Sequence, residues 1–295
     1  MSEENVNAAA VDRDSSETKQ TKEELLAALQ QDFATSVNKV YVNSLDREYQ
    51  FSEITVQDQK SLTRMMQANQ NRKDIVYDAQ CALINKAALD KTFDVYKTTD
   101  FDRTKLMIAL YQANMFENKA KFTCQECGAE NAYQIDYAET IRKLDDYKIE
   151  DRTFEYDNQH FHYKFYLQYP SVKLVSRFHA MYCRKHGTNA PRRMAKAEDT
   201  MTNLEYVNLF IVKAEVTCKA NGNVRVVDFN DYQVSDREDI LAAFPQDVLY
   251  TEGGVLKYVV NQYIKPLNDC FEKHECLKCG AIYEKEGSDQ VANFF

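Results

Sequence analysis

The chain has 295 residues and a formal net charge of −9, from 46 Asp and Glu against 37 Lys and Arg, a balance that argues against nonspecific nucleic-acid binding. Its length holds one large domain or two modest ones, and a hydrophobic content of 44% excludes disorder along the whole chain. Seven glycines with one adjacent pair, Gly253-Gly254, offer no phosphate-cradling loop, and no apolar run reaches the roughly 18–20 residues that cross a bilayer.

Residues 1 to 20 read as a solvated acidic tail without the hydrophobic stretch of a secretory signal. Thr21 is placed to cap a short helix, with Glu24 as its capping-box partner. Residues 38–53 read as a hairpin across Asn-Ser-Leu-Asp, with Val40 and Val42 on one face and Tyr49 and Phe51 on the second strand. The period then becomes helical over 57–68 and 74–89, with Leu62, Met65 and Met66, then Ile75, Ala79, Ala82 and Leu83, as core stripes. A third helix starts near Thr99, with Asp102 three residues on, and carries Phe101, Leu106, Leu110 and Phe116.

A helix is expected at 138–144 and strands at 153–156 and 160–168, the second alternating Phe161, Tyr163, Phe165 and Leu167 against His160, His162, Lys164 and Tyr166. After Pro170-Ser171 a helix carries Val172, Val175, Phe178 and Tyr182 and ends at His186-Gly187. A basic loop around Arg192 and Arg193 follows, then a long helix over about 198–220 with Leu204, Val207 and Ile211. A short strand runs through Val224, Val226 and Phe229. Ser235 with Glu238 forms a capping box for a helix stopped by Pro245, and a last helix covers 253–264.

With no secretory signal, synthesis in a reducing cytosol is expected, so the eight cysteines read as free thiols or metal ligands. Four of them form a matched pair of motifs. Cys124 and Cys127, and Cys276 and Cys279, each sit in Cys-x-x-Cys-Gly-Ala, between short strand-like segments. Two residues between thiols let both sulfurs converge on one ion, and the glycine permits the tight turn that follows. One such knuckle supplies two ligands and a structural zinc takes four, so the two together read as a zinc ribbon split by a long insertion. Loop-closure entropy rises only logarithmically with length, so the separation is no obstacle. Cys270 and His274 lie close enough to be alternative ligands. Cys81, Cys183 and Cys218 sit on expected helices as small buried apolar groups.

His160 and His162 share a strand face and read as solvated side chains. Arg184, Lys185, His186, Arg192 and Arg193 form the one dense positive patch, suited to a salt-bridging contact. The terminal Phe294 and Phe295 are apolar on a polar lead-in and read as either a disordered end or a pair docked in a neighbour's groove. There is no His-Glu-x-x-His, no Gly-x-Ser-x-Gly and no carboxylate pair marking an acid and a base, so no enzyme is expected.

The fold class expected is α+β, mostly helical, with an N-terminal β-hairpin and a split zinc ribbon enclosing a large α+β insertion. The divisions are an acidic tail and short helix (1–37), a hairpin plus helical domain (38–118), two ribbon halves (119–137 and 271–284), an inserted domain (138–270) and a C-terminal tail (285–295).

Three stretches, VYVNSLDREYQFSEITVQDQKSL (40–62), NRKDIVYDAQCALINKAAL (71–89) and FDRTKLMIALYQANMF with FTCQECG (101–128), resemble the baseplate hub and hub-assembly proteins of T-even-type contractile-tailed bacteriophages. The resemblance implies no catalysis and no small-molecule substrate. It implies a structural or assembly role in the virion's tail baseplate, built in the host cytoplasm, through contacts with other baseplate proteins or copies of itself. No contact residue carries over from it. The other function weighed is a zinc-ribbon nucleic-acid-binding or regulatory protein, separable by salt-dependent DNA binding.

Overall fold

The computed structural model describes residues 21–25, 28, 37–69, 72–113, 119–124, 126–186, 204–271 and 273–283. The readings made for residues 1–20, Phe116, Gly187, Arg192, Arg193, Phe294 and Phe295 lie outside them. The chain divides into two compact units, residues 1–36 and 37–295. In the first, the Thr21 amide donates to Glu24 Oε2 and the Glu24 amide to Thr21 Oγ1, the reciprocal pair expected there.

The second unit opens with the hairpin β1 (Val37–Val42) and β2 (Arg47–Ser52), paired antiparallel with Val40 opposite Tyr49. The turn is a 3₁₀ segment, Asn43–Leu45, closed by Asp46 at φ 49°. Helix α1 (Val56–Ala68) starts at a reciprocal Thr55–Asp58 capping box and buries Leu62 and Met66, leaving Met65 exposed. Helix α2 (Lys73–Ala87) buries Tyr77, Cys81 and Ile84. Of the expected stripe Leu83 is buried, while Ile75 and Ala79 are only half-buried and Ala82 is exposed. The large Tyr77 sets the inward face.

Helix α3 (Asp100–Ala113) is capped by Thr99, whose hydroxyl accepts from the Asp102 amide. It is buried all round from Phe101 to Tyr111, including Arg103 and Lys105. The Lys105 ammonium donates to Tyr41 O at 2.8 Å and meets Asp145 Oδ1 at 2.5 Å. The Asp102 carboxylate accepts from the amides of Asn43 and Ser44, so α3 holds the hairpin turn from two sides. Hairpin β3 (Lys119–Thr123) and β4 (Glu130–Gln134) follows, then α4 (Tyr137–Asp146), whose N-terminus Asp136 caps.

A four-stranded antiparallel sheet has the order β5 (Arg152–Asp157), β6 (Phe161–Leu167), β7 (Ile211–Cys218), β8 (Val224–Asp228). The helix expected over 198–220 is therefore corrected. Among the described residues only α6 (Leu204–Val207) and a 3₁₀ turn (Asn208–Phe210) are helical, and Ile211–Cys218 is an inner strand. Cys218 accordingly ends a strand. Leu204, Val207 and Ile211 imitate a helical stripe, but β-branched Ile211, Val212, Val216 and Thr217 suit a pleated surface, and β6, paired with β5 on one side, would otherwise leave its other edge unpaired.

Helix α5 (Val172–His186), between β6 and α6, packs on α2 and α3 and buries Val172, Val175 and Phe178. Helix α7 (Val234–Ala242) begins one residue before Ser235, so the expected Ser235–Glu238 box does not form. Burying Val234, Arg237 and Leu241 at i, i+3 and i+7 sets that register. After α8 (Gln246–Tyr250), α9 (Val255–Val259) runs through a π turn, Val260–Ile264, into α10 (Lys265–Asp269). The helix thus continues beyond 264, through Pro266. Proline brings no N–H for the carbonyl four residues back. The Tyr147 hydroxyl donates to that carbonyl, Gln262 O, at 3.3 Å, and the Tyr169 hydroxyl donates to Tyr263 O at 3.0 Å. A final short hairpin is β9 (His274–Glu275) with β10 (Ile282–Tyr283).

At the junction of α2, α3 and α5, His179 packs on the Tyr77 ring at 5.0 Å between centroids. Burial pushes its imidazole down to about 4. The unfolded chain then binds a proton that the folded chain does not, so stability is full above about pH 6.5 and falls as pH drops toward 4. Denaturant titration at pH 7 and pH 5 should differ by about 1–2 kcal/mol, and His179→Gln should remove that difference.

Candidate metal centre

Each Cys-x-x-Cys motif folds as the turn of its own hairpin, and the two turns have the same hydrogen bonds. The Cys124 amide donates to Ala129 O at 2.8 Å and the Gly128 amide to Cys124 O at 2.9 Å. The Cys276 amide donates to Ala281 O at 2.8 Å and the Gly280 amide to Cys276 O at 2.9 Å. Gly128 and Gly280 have φ of 69° and 74°, left-handed values that an L side chain resists. A methyl group on Gly280 would also stand 3.3 Å from Glu275 Oε1. Gly280→Ala should lower stability by about 1 kcal/mol, with Gly280→Asn milder, since Asn tolerates this region. Parallel thermal melts check the order.

The hairpins bring the four sulfurs of Cys124, Cys127, Cys276 and Cys279 within 4.8 Å of one another. The Sγ atoms of Cys124 and Cys279 are 3.7 Å apart, as are those of Cys127 and Cys276. Cys124 and Cys276 are buried and Cys279 is exposed. Asn131 on β4 ties the halves together: its amide group donates to Cys276 Sγ at 3.5 Å, while its carbonyl accepts from the Leu277 amide at 3.0 Å. Nothing in the motif spacing signals Asn131, because its role depends on the second hairpin arriving.

Backbone N–H groups of Lys278 and Cys279 point at Cys276 Sγ, and with Asn131 they pull that thiol down to about 6. The Ala281 amide acts the same way on Cys279, but the sulfurs of Cys127, Cys124 and Cys276 outweigh it and push Cys279 up to about 12. Four sulfurs this close can all be ionised only around a cation. The donor set fits a soft, tetrahedral metal ion, and the group leaves no protein ligand missing.

The two alternative ligands lie elsewhere. Cys270 is buried beneath α4 and α10, where its thiol faces Pro266 O at 3.4 Å, and burial pushes it up to about 11. The His274 ring lies on Tyr133 with centroids 3.5 Å apart. Cys81 and Cys183 are buried on α2 and α5. His162 pairs with Asp157 on the open face of the sheet, and Lys185 pairs with Glu238.

The fold is thus an α+β body with an N-terminal antiparallel hairpin and a partly buried four-cysteine cluster capable of holding a metal. The chain belongs to the family described as T4 bacteriophage base plate protein, which matches residues 34–251, more than half of its length. It is a baseplate-associated phage protein of a structural family, and it is not an enzyme. No curated protein and no solved structure gives a match. Among the described residues no helix is long and apolar enough to cross a membrane.

Proposed function

We propose that the chain is a structural or assembly component of the hub or wedge region of a contractile-tail baseplate. It acts by protein–protein contact, and a structural zinc ion held by Cys124, Cys127, Cys276 and Cys279 clamps residues far apart in the chain. The observation that carries this reading is the convergence of the four sulfurs from two hairpins. A tetrahedral zinc with Zn–S near 2.3 Å sets its sulfurs about 3.8 Å apart, and two pairs here stand at 3.7 Å. Four thiolates close the coordination sphere, which suits a clamp and leaves no position for chemistry.

Contact surface is available on the hairpin and first helix, where Tyr41, Val56 and Met65 are exposed above buried Val42, Phe51 and Leu62. Tyr and Met suit such contacts, one stiff and amphipathic, the other adaptable. Purified baseplates should contain the chain by mass spectrometry, and the purified chain should carry one zinc by elemental analysis. Absence from both baseplates and their assembly intermediates, or no zinc, overturns the reading. Tyr41→Asp should leave fold and zinc content intact while reducing incorporation into baseplates.

A further inference from the structure

We infer that β8 is a docking edge, completed in the assembled baseplate by an antiparallel strand from a different protein chain. At the β7–β8 turn the Cys218 amide donates to Asn223 O at 2.8 Å. Hydrogen-bonded pairs recur every second residue along an antiparallel ladder. With Val216 opposite Arg225 and Ala214 opposite Val227, it is Arg225 and Val227 that bond to β7. Val224 and Val226 therefore turn their N–H and C=O groups outward, away from the sheet.

The two edges of this sheet differ in how they meet water. On β5 the residues on the open face are Thr153, Glu155 and Asp157, the polar guard usual at a strand edge. Successive cross-strand partners run Glu155–Lys164–Glu215–Val226 and Asp157–His162–Thr217–Val224. Both rows are polar across three strands and end in a valine on β8. Val224 and Val226 are 55% and 56% exposed, and β8 has no proline, bulge or lysine to discourage pairing.

The row Thr153–Tyr166–Lys213–Asp228 ends in an acid, and Arg225 stands on the opposite face of β8. The complementary strand, read along its own direction from the position facing Asp228, is basic, apolar, β-branched, acidic, β-branched. A second copy of β8 does not meet this pattern. Pairing about a twofold normal to the sheet joins residues of like parity. The register that sets Val224 opposite Val226 also sets Arg225 opposite Arg225, and the register centred on Val226 sets Val224 opposite Asp228. Like charges or an apolar–acid mismatch follow in either case, so a different chain is the occupant.

This rests on the reading that the chain works inside a baseplate, and one experiment separates the two. Amide exchange is compared between the free full-length chain and the chain in purified baseplates. In the free chain the amides of Arg225 and Val227 are protected and those of Val224 and Val226 are open; in baseplates the latter two slow by at least about tenfold. Val226→Pro removes an outward N–H that bonds to nothing within the sheet, so zinc content and melting hold while incorporation falls about tenfold. Val224→Lys with Val226→Lys keeps the backbone donors and should weaken incorporation as well. The inference is overturned if Val224 and Val226 are already protected in the free chain, which would mean its own residues cover the edge. It is overturned in favour of self-pairing if the free chain forms a dimer that Val226→Pro abolishes. If the chain is present in baseplates, exchange there is unchanged and Val226→Pro incorporates normally, the edge inference fails alone. A chain found in assembly intermediates but absent from baseplates overturns this inference alone, and one absent from both overturns the proposed function with it.

Discussion

Chelation of the proposed zinc ion from the purified chain should lower its thermal midpoint by about 10 °C or more. Cys127 and Cys276 are 149 residues apart, so an ion held by both would act as a cross-link closing a long loop. Chain-entropy arguments for cross-links of that length give about 4–5 kcal/mol, and each kcal/mol moves the midpoint of a chain of this size by about 2–4 °C. Zinc bound to small thiolate sites contributes more than this, about 10–16 kcal/mol, so loop closure is a lower bound on what the ion supplies. Cys276→Ser should reproduce the loss without chelator, because it removes the buried sulfur that three donors already favour as a thiolate. Cys270→Ser should leave zinc binding unchanged, since its thiol faces backbone carbonyls beneath α4 and α10. Equal melting with and without chelator would remove the ion from the fold's support.

The parts of this molecule that were legible in the sequence are those whose causes are local. The two cysteine turns are specified by six consecutive residues each, and the left-handed glycine is among them. The hairpin at 37–52 and the caps at Thr21 and Thr99 are likewise decided within a few residues. What misled was the pattern whose meaning depends on a distant partner. Leu204, Val207 and Ile211 fit a helical stripe, yet the chain turns to strand at Ile211 because β6 offers an edge. Ser235 and Glu238 have capping-box spacing, but burial of Val234 and Arg237 starts the helix a residue earlier. Asn131 carried no signal at all. Its side chain bridges the two knuckles only after they meet.

Helix α3 is the largest departure from a sequence-level stripe, and it carries the second large effect. Phe101, Leu106 and Leu110 suggested one apolar side, but the helix is enclosed on every side and takes Arg103 in with it at 3% exposure. The guanidinium bonds to Asp100 Oδ1 at 2.7 Å and to Gln80 Oε1 at 2.9 Å, and lies over the Tyr77 ring at 4.2 Å. The Tyr77 hydroxyl donates to the same Asp100 oxygen at 2.7 Å. Burial acts to raise the Asp100 carboxyl, and the charge of Arg103 outweighs it, holding that group below the usual carboxylate range. Arg103→Met keeps the length of the side chain and removes its charge and donors. Half-buried Asp100 and buried Gln80 then each lose the Arg103 partner, a loss of about 3 kcal/mol, the lower end of the usual cost of breaking a buried ion pair. Asp100→Asn in the same background should recover part of it, because the uncompensated negative charge is gone. Urea unfolding of the two single variants and the double variant measures the coupling directly. Independent, additive losses would show that the Arg103–Asp100 pair contributes nothing beyond packing.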